Sequence, residues 1–117
     1  MTKKQRELVW NKYGKRCAYC GGILAYKDLQ VDHIKAKRRR KALIANALEN
    51  LNPSCRRCNH YKRGLSLESF RKRVKTLHER IAEQYIDKVA LNYGIITIQP
   101  WDGIFWLEKY QTLFCFN

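Results

Sequence analysis

Two Cys-x-x-Cys pairs, Cys17/Cys20 and Cys55/Cys58, are separated by 34 residues. Thiolates at this spacing can bind one tetrahedral zinc ion without backbone strain, and the intervening chain closes once the metal is bound. Four sulfur ligands leave no coordination position for water, so we expect this zinc to be structural. Any catalysis must then use other residues.

A second set of chemically capable residues shares the same segment. Asp32-His33 lies between the two pairs, and Asn59 directly follows the last cysteine. A neutral imidazole exchanges protons near neutral pH and can act as a general base. Carboxylate and amide oxygens suit a hard divalent cation. This combination favours a nuclease with a structural zinc, although His33 could also be an ordinary hydrogen-bonded strand residue.

The net charge of +14 is distributed unevenly over the 117 residues. Residues 1–75 carry 21 Lys and Arg against 5 acidic residues, whereas residues 76–117 carry 3 against 5. A basic segment of this kind is typical of a phosphate-backbone contact surface. We expect phosphate contacts above all from the run that follows His33, and that run contains Lys35, Lys37, Arg38, Arg39, Arg40 and Lys41.

Composition argues against several other classes of protein. No run of about eighteen apolar residues exists, so no membrane span is expected. The N-terminus lacks a secretory hydrophobic region, and paired cysteines of this kind fit a metal site in a reducing compartment. We therefore predict a cytoplasmic protein. The fifth cysteine, Cys115, lies between two phenylalanines and is expected to be a small buried hydrophobic residue.

Elements that would position these residues can be read from the first half of the chain. A helix is expected from Lys3 to Tyr13, ended by Gly14. Residues 23–26 and 29–34 alternate weakly and predict two strands. Residues 42–51 show a short helical pattern, and Pro53 indicates a turn. A further helix is expected from Cys55 to Arg63, ended by Gly64.

The second half has a helical pattern and then two short apolar runs. Ser66 is a good helix N-cap, and an apolar stripe continues from there to about Gly94, with a break expected near Glu79–Glu83. Residues 95–98 and 104–107 then predict two strands around a turn at residues 101–103.

The chain resembles the HNH endonucleases, which are ββα-metal (His-Me finger) nucleases, from about Trp10 to Lys62. The motifs that carry the resemblance are Cys17-x-x-Cys20, Val31-Asp32-His33-Ile34, Glu49-Asn50-Leu51 and Cys55-x-x-Cys58-Asn59-x-x-Lys62. Each motif alone is weak, but their order and spacing together are specific. The C-terminal tail, with Phe105-Trp106-Leu107-Glu108-Lys109, is similar to an extension of some small HNH proteins of phages and bacteria.

The resemblance implies a role for each matching residue. His33 takes the place of the general base, and Asp32 and Asn59 take the places of the ligands of a catalytic Mg²⁺ or Mn²⁺. Asn50 would hold the loop that aims His33, although it could be a simple turn residue. His60 is an alternative ligand that would favour a softer ion. Lys62 would contact phosphate or lie exposed on its helix.

These observations together predict an α+β protein. It has a ββα-metal core with a four-cysteine zinc knuckle, a flanking N-terminal helix, a long C-terminal helical segment and a short C-terminal hairpin. We expect one domain over residues 1–117, with the nuclease core at residues 10–63 and an extension at residues 64–117.

The predicted function is metal-dependent cleavage of double-stranded DNA, and the resemblance implies 5′-phosphate and 3′-hydroxyl ends. Zn²⁺ would be structural, and Mg²⁺ or Mn²⁺ catalytic. The first alternative is a non-catalytic, zinc-containing basic adaptor that binds DNA or RNA. The second is a protein-interaction factor of a phage packaging or defence complex.

Overall fold

A computed structural model describes residues 1–35 and 46–114. These residues form two compact units, one from the described parts of Met1–Ser66 and Ile104–Asn117 and the other from Leu67–Gly103. Helices and one small antiparallel sheet confirm the predicted α+β class. The single domain and its boundary at residue 64 stay predictions. None of the helices in the described part of the chain has the length and apolar composition needed to cross a lipid bilayer.

Helix α1 spans Lys3–Asn11 and begins at a capping box. The Thr2 hydroxyl accepts a hydrogen bond from the Gln5 amide at 3.1 Å, and the Gln5 side-chain oxygen accepts one from the Thr2 amide at 3.0 Å. The two bonds satisfy backbone donors that a helix start leaves unpaired. Beyond the helix, Gly14 adopts a φ of +76°. This left-handed conformation suits glycine and supports the predicted stop.

Strands β1 (Gln30–His33) and β2 (Leu51–Ser54) pair antiparallel, with Asp32 opposite Asn52. The prediction of a turn at Pro53 is therefore wrong, since Pro53 lies in β2. Proline is tolerated there because each strand of a two-stranded sheet has one edge without a ladder partner. All four β2 residues are buried, and the Pro53 carbonyl accepts a hydrogen bond from the Ala18 amide at 2.9 Å. β2 thus joins β1 to the first Cys-x-x-Cys loop.

The strand predicted at residues 23–26 is wrong. Only an isolated bridge between Arg16 and Ile23 forms there, and Ile23 is 83% exposed. The chain instead closes a tight loop, in which the Cys17 amide donates to the Gly22 carbonyl at 2.9 Å. A 3₁₀ turn at Tyr26–Asp28 then leads into β1.

Helix α2 spans Arg56–Lys62 and packs against β1. The predicted helix is confirmed, but its predicted glycine stop is wrong. Arg63, and not Gly64, takes the positive φ, at 53°. The 3₁₀ turn Leu48–Asn50 leads directly into β2. The rest of the helical pattern predicted at residues 42–51 falls mainly on residues 42–45, which lie outside the described residues.

The second unit contains three short helices, α3 (Leu67–Lys75), α4 (Leu77–Glu83) and α5 (Tyr85–Asn92). The helical segment is therefore interrupted twice, at Thr76 and at Gln84, on either side of the break predicted near Glu79–Glu83. The Thr76 hydroxyl donates to the Arg73 carbonyl at 2.7 Å, a local bond of the kind that competes with regular helix bonding. Gln84 is extended, with ψ 131°.

The predicted C-terminal hairpin is wrong. Residues 95–105 contain no strand, and helix α6 spans Trp106–Phe114. The Glu108 carboxylate accepts a hydrogen bond from the Phe105 amide at 2.9 Å, which is half of a capping box and favours a helix start. The Leu107 amide donates to the Ala18 carbonyl at 2.8 Å. This bond fixes the start of α6 against the first Cys-x-x-Cys loop.

Candidate functional site

The four cysteines of the two pairs meet at one point. Cys17, Cys20, Cys55 and Cys58 place their Sγ atoms within 4.8 Å of one another, and Cys20 and Cys55 are 4.0 Å apart. A tetrahedral zinc with Zn–S bonds of about 2.3 Å requires S–S separations of about 3.8 Å. The cluster therefore fits a zinc ion, and the predicted zinc site is confirmed as a four-sulfur cluster.

Two different local structures deliver these sulfurs. The first pair lies in the tight loop at residues 17–22, and Gly21 permits it with a φ of +77°. In the second pair, Cys55 caps α2, and its sulfur accepts a hydrogen bond from the Cys58 amide at 3.3 Å. Because one pair lies beside β2 and the other starts α2, a bound ion would fasten that helix to the sheet.

The thiols are electrostatically coupled before any metal binds. Hydrogen bonds from Cys20 and Cys58 lower the pKa of Cys17. The same interaction with Cys17 raises the pKa of Cys20 to about 11, and it also raises that of Cys58. Cys20 and Cys58 therefore stabilise the thiolate form of Cys17. Zinc binding must displace the protons of the remaining thiols of the cluster, because only thiolates bind the ion well.

Asp32 lies in the middle of β1 and is 5% exposed. Its Oδ2 accepts a hydrogen bond from the Tyr19 hydroxyl and lies 2.9 Å from the Lys62 ammonium. Burial, and then the negative charge of Asp32, raise the pKa of Tyr19, so this hydroxyl stays protonated and donates. The carboxylate is thus connected both to the Cys-x-x-Cys loop and to α2.

His33 follows Asp32 at the end of β1 and is half-buried. Its Nε2 lies 2.9 Å from Oδ1 of Asn46. Because an amide oxygen only accepts, Nε2 carries the hydrogen in this arrangement, and the lone pair lies on Nδ1. The arrangement fixes one tautomer of the imidazole and leaves Nδ1 able to accept a proton.

Asn50 holds the chain directly after His33. Its Oδ1 accepts a hydrogen bond from the Lys35 amide at 2.9 Å, and its Nδ2 donates to the Lys35 carbonyl at 3.3 Å. The Asn50 carbonyl also accepts one from the Ile34 amide at 2.9 Å. These are the cross-loop bonds predicted for Asn50, whereas its part in catalysis stays a prediction.

Helix α2 presents one face to β1. Lys62 reaches Asp32 from this helix, and Asn59 lies one turn earlier, so the two residues share a face. Asn59 is partly buried, whereas the next residue, His60, is exposed. This favours Asn59 over His60 as the residue turned toward Asp32.

Lys62 does not fit the phosphate contact predicted for it. Its side chain is 2% exposed, and its ammonium is paired with Asp32, so it is not accessible to a nucleic-acid backbone. Lys35 is exposed and stays a candidate contact. The other predicted contacts, Lys37, Arg38, Arg39, Arg40 and Lys41, lie outside the described residues, as does Cys115.

Sequence reasoning missed three residues that support the site. Tyr19 lies in sequence between Cys17 and Cys20, and Asn46 is not part of any recognisable motif. Lys12 follows α1, and its ammonium donates to the carbonyls of Leu48 at 3.0 Å and Leu51 at 2.7 Å. Burial lowers the pKa of Lys12. The one sequence signal was an aromatic residue inside a Cys-x-x-Cys pair, which could have indicated Tyr19.

Residues 17–63 match a protein-family model described as HNH endonuclease. The matched segment contains both cysteine pairs, Asp32-His33, Asn50 and Asn59. The predicted resemblance is thereby confirmed for this segment, which is similar to HNH endonuclease domains and contains the four-cysteine cluster. The chain has no significant match among curated proteins or among solved structures.

Proposed function

We propose that this protein is a metal-dependent endonuclease that hydrolyses phosphodiester bonds in double-stranded DNA, leaving 5′-phosphate and 3′-hydroxyl ends. The observation that carries the proposal is the position of His33 at the end of β1, where Asn46 contacts its Nε2 at 2.9 Å and Asn50 binds the backbone that follows. The ion pair between Lys62 and Asp32 joins helix α2, which contains Asn59, to the same strand. It does so inside the segment that matches the HNH endonuclease family.

His33 is the general base in this proposal. Asn46 holds the Nε2 hydrogen, so Nδ1 takes the proton from the attacking water. Asn50 fixes the backbone after His33 and keeps the imidazole aimed. No other described residue of β1 has a side chain that exchanges protons near neutral pH, which makes His33 the residue on which cleavage depends.

Asp32 and Asn59 supply the oxygen donors of the proposed catalytic metal. Carboxylate and amide oxygens suit Mg²⁺ or Mn²⁺, and within the described part of the chain Tyr19 and Lys62 both contact the Asp32 carboxylate at Oδ2. Such an ion supplies electrostatic stabilisation of the phosphate and the departing oxygen. The four cysteines, in contrast, hold zinc and keep α2 fastened to the sheet.

The test is cleavage of supercoiled plasmid by zinc-loaded protein with Mg²⁺, Mn²⁺, Ni²⁺ or EDTA, followed by mapping of the ends. The proposal expects metal-dependent nicking or linearisation, no cutting in EDTA, and 5′-phosphate ends. Metal-independent cutting, or 3′-phosphate ends, would refute the proposed chemistry.

A second candidate is a non-catalytic adaptor that binds nucleic acid. One observation favours it, because Asp32 already has a cationic partner in Lys62. The adaptor would bind DNA with an affinity that falls steeply as salt rises, since phosphate contacts release counterions. It would show that binding in the plasmid assay without any metal-dependent cutting.

A further inference from the structure

Lys62 is among the most deeply buried side chains of the first unit, at 1% exposure. Its ammonium lies 2.9 Å from Asp32 Oδ2 and 5.8 Å from the centre of the Tyr19 ring. Within residues 1–35 and 46–114, this ammonium has no partner with hydrogen-bond geometry, and its one ion pair is with Asp32. Burial of a lysine costs free energy unless a counter-charge lies beside it. Asp32 is therefore the counter-ion of Lys62.

The two contacts of Asp32 differ in charge. Tyr19 brings a neutral hydroxyl to Oδ2, whereas Lys62 brings a full positive charge to the same oxygen. A divalent ion that binds the carboxylate would enter a shielded site that already contains a cation. Cations repel strongly where water is excluded, because the effective dielectric constant is low.

We propose that Lys62 is a resident counter-cation that sets the metal affinity of Asp32. The Lys62 ammonium and the divalent ion share the Asp32 carboxylate, and the ammonium weakens the binding of the ion. The site is therefore occupied only by an ion that is abundant, such as Mg²⁺ at millimolar concentration. Lys62 is thus an affinity-determining residue of the metal site and not a phosphate contact. This inference rests on the proposed function, because it requires a metal at Asp32.

The test measures Mn²⁺ binding to zinc-loaded protein by electron paramagnetic resonance of the free ion, without DNA. Lys62→Met removes the charge and retains most of the buried stem. Lys62→Gln removes the charge and retains a donor. We expect both to tighten Mn²⁺ binding by about tenfold, which corresponds to about 1.4 kcal/mol. Lys27→Met removes the same charge from an exposed position and should leave the affinity unchanged.

Unchanged or weaker Mn²⁺ binding in both Lys62 variants overturns the inference. The unmodified protein gives a second test that does not depend on variant folding. The ¹⁵N signal of the Lys62 ammonium should shift as Mg²⁺ is titrated, because the ion shares its counter-charge. A signal that does not move at saturating Mg²⁺ also overturns the inference.

Asp32→Asn separates this inference from the proposed function. If the unmodified protein and Asp32→Asn bind Mn²⁺ equally, no metal is held by Asp32, and both proposals fail. If Asp32→Asn loses Mn²⁺ but the Lys62 variants match the unmodified protein, only the role given to Lys62 fails.

Discussion

The Asp32–Lys62 pair allows a quantitative prediction about stability. The two side chains are 6% and 2% exposed, so neither charge is solvated if its partner is removed. Breaking a buried ion pair from one side costs about 3–5 kcal/mol, whereas removing both charges is often close to neutral. We therefore expect Asp32→Asn and Lys62→Met each to lower the free energy of unfolding by about 3 kcal/mol or more. The double variant should lose much less than the sum.

Urea denaturation of zinc-loaded protein, followed by far-ultraviolet circular dichroism, measures these free energies. A loss of about 3 kcal/mol lowers Tm by about 12 °C or more in a domain of this size. Glu68→Gln is a matched control, because Glu68 is 72% exposed in its pair with Arg71 and should cost less than about 1 kcal/mol.

A double-mutant cycle tests whether Asp32 and Lys62 stabilise each other. Coupling between the two substitutions should be at least about 2 kcal/mol, well above the 0.5 kcal/mol within which independent sites add. Additive effects would refute the view that Lys62 and Asp32 neutralise each other inside the protein. Zinc content should stay at one ion per chain in all three variants, since none of them changes a cysteine.

Three further predictions concern the frame around the site. Asn50→Ala loses both side-chain bonds to the Lys35 backbone and should reduce plasmid cleavage by at least about tenfold with little change in Tm, because the bonds aim a loop and are not in the core. Equal cleavage rates would contradict this. Zinc binding should release protons and tighten as the pH rises, because the thiols of Cys20, with a pKa of about 11, and Cys58 are protonated at neutral pH. Calorimetry in buffers of different ionisation enthalpy measures this release, and a buffer-independent enthalpy would contradict it. Lys12→Met leaves the Leu48 and Leu51 carbonyls without their donor and should cost about 1–3 kcal/mol in urea denaturation, whereas a cost near zero would show that water replaces the ammonium.

The metal cluster was the part of the site most accessible to sequence reasoning. Two Cys-x-x-Cys pairs specify a ligand set whatever lies between them, so the cluster follows from spacing alone. The helix after Cys55 was also predictable, with Gly64 taken as the signal of its end. Its end was misplaced by one residue because Arg63, a non-glycine residue, adopts positive φ.

The sheet was harder to predict, because the sequence of its second strand has a low propensity for strand formation. β2 contains Pro53 and is four residues long, so propensity indicates a turn. Tertiary contacts override that preference: β1 pairs with one edge, and the Ala18 amide bonds to the Pro53 carbonyl. The C-terminal helix was missed for the opposite reason. A short run of apolar residues suggested a strand, although Glu108 three residues after Phe105 is a helix-start signal.

The role of Lys62 was not accessible from sequence, since a lysine on a short helix is usually exposed. Only the packing of α2 against β1 turns it inward to Asp32. The same applies to Asn46, whose bond to His33 depends on the three-dimensional path of the chain.

The most direct test of the account is the cleavage activity of His33→Ala, with His60→Ala as the matched control. His60 lies on α2 and is exposed, so its loss removes an imidazole without touching β1. Both variants should keep their zinc and their circular dichroism spectrum. We predict that in Mg²⁺ His60→Ala nicks supercoiled plasmid at the rate of the unmodified protein, and that His33→Ala is at least about 100-fold slower. Nicking by His33→Ala at the unmodified rate would contradict the assignment of His33 as the general base.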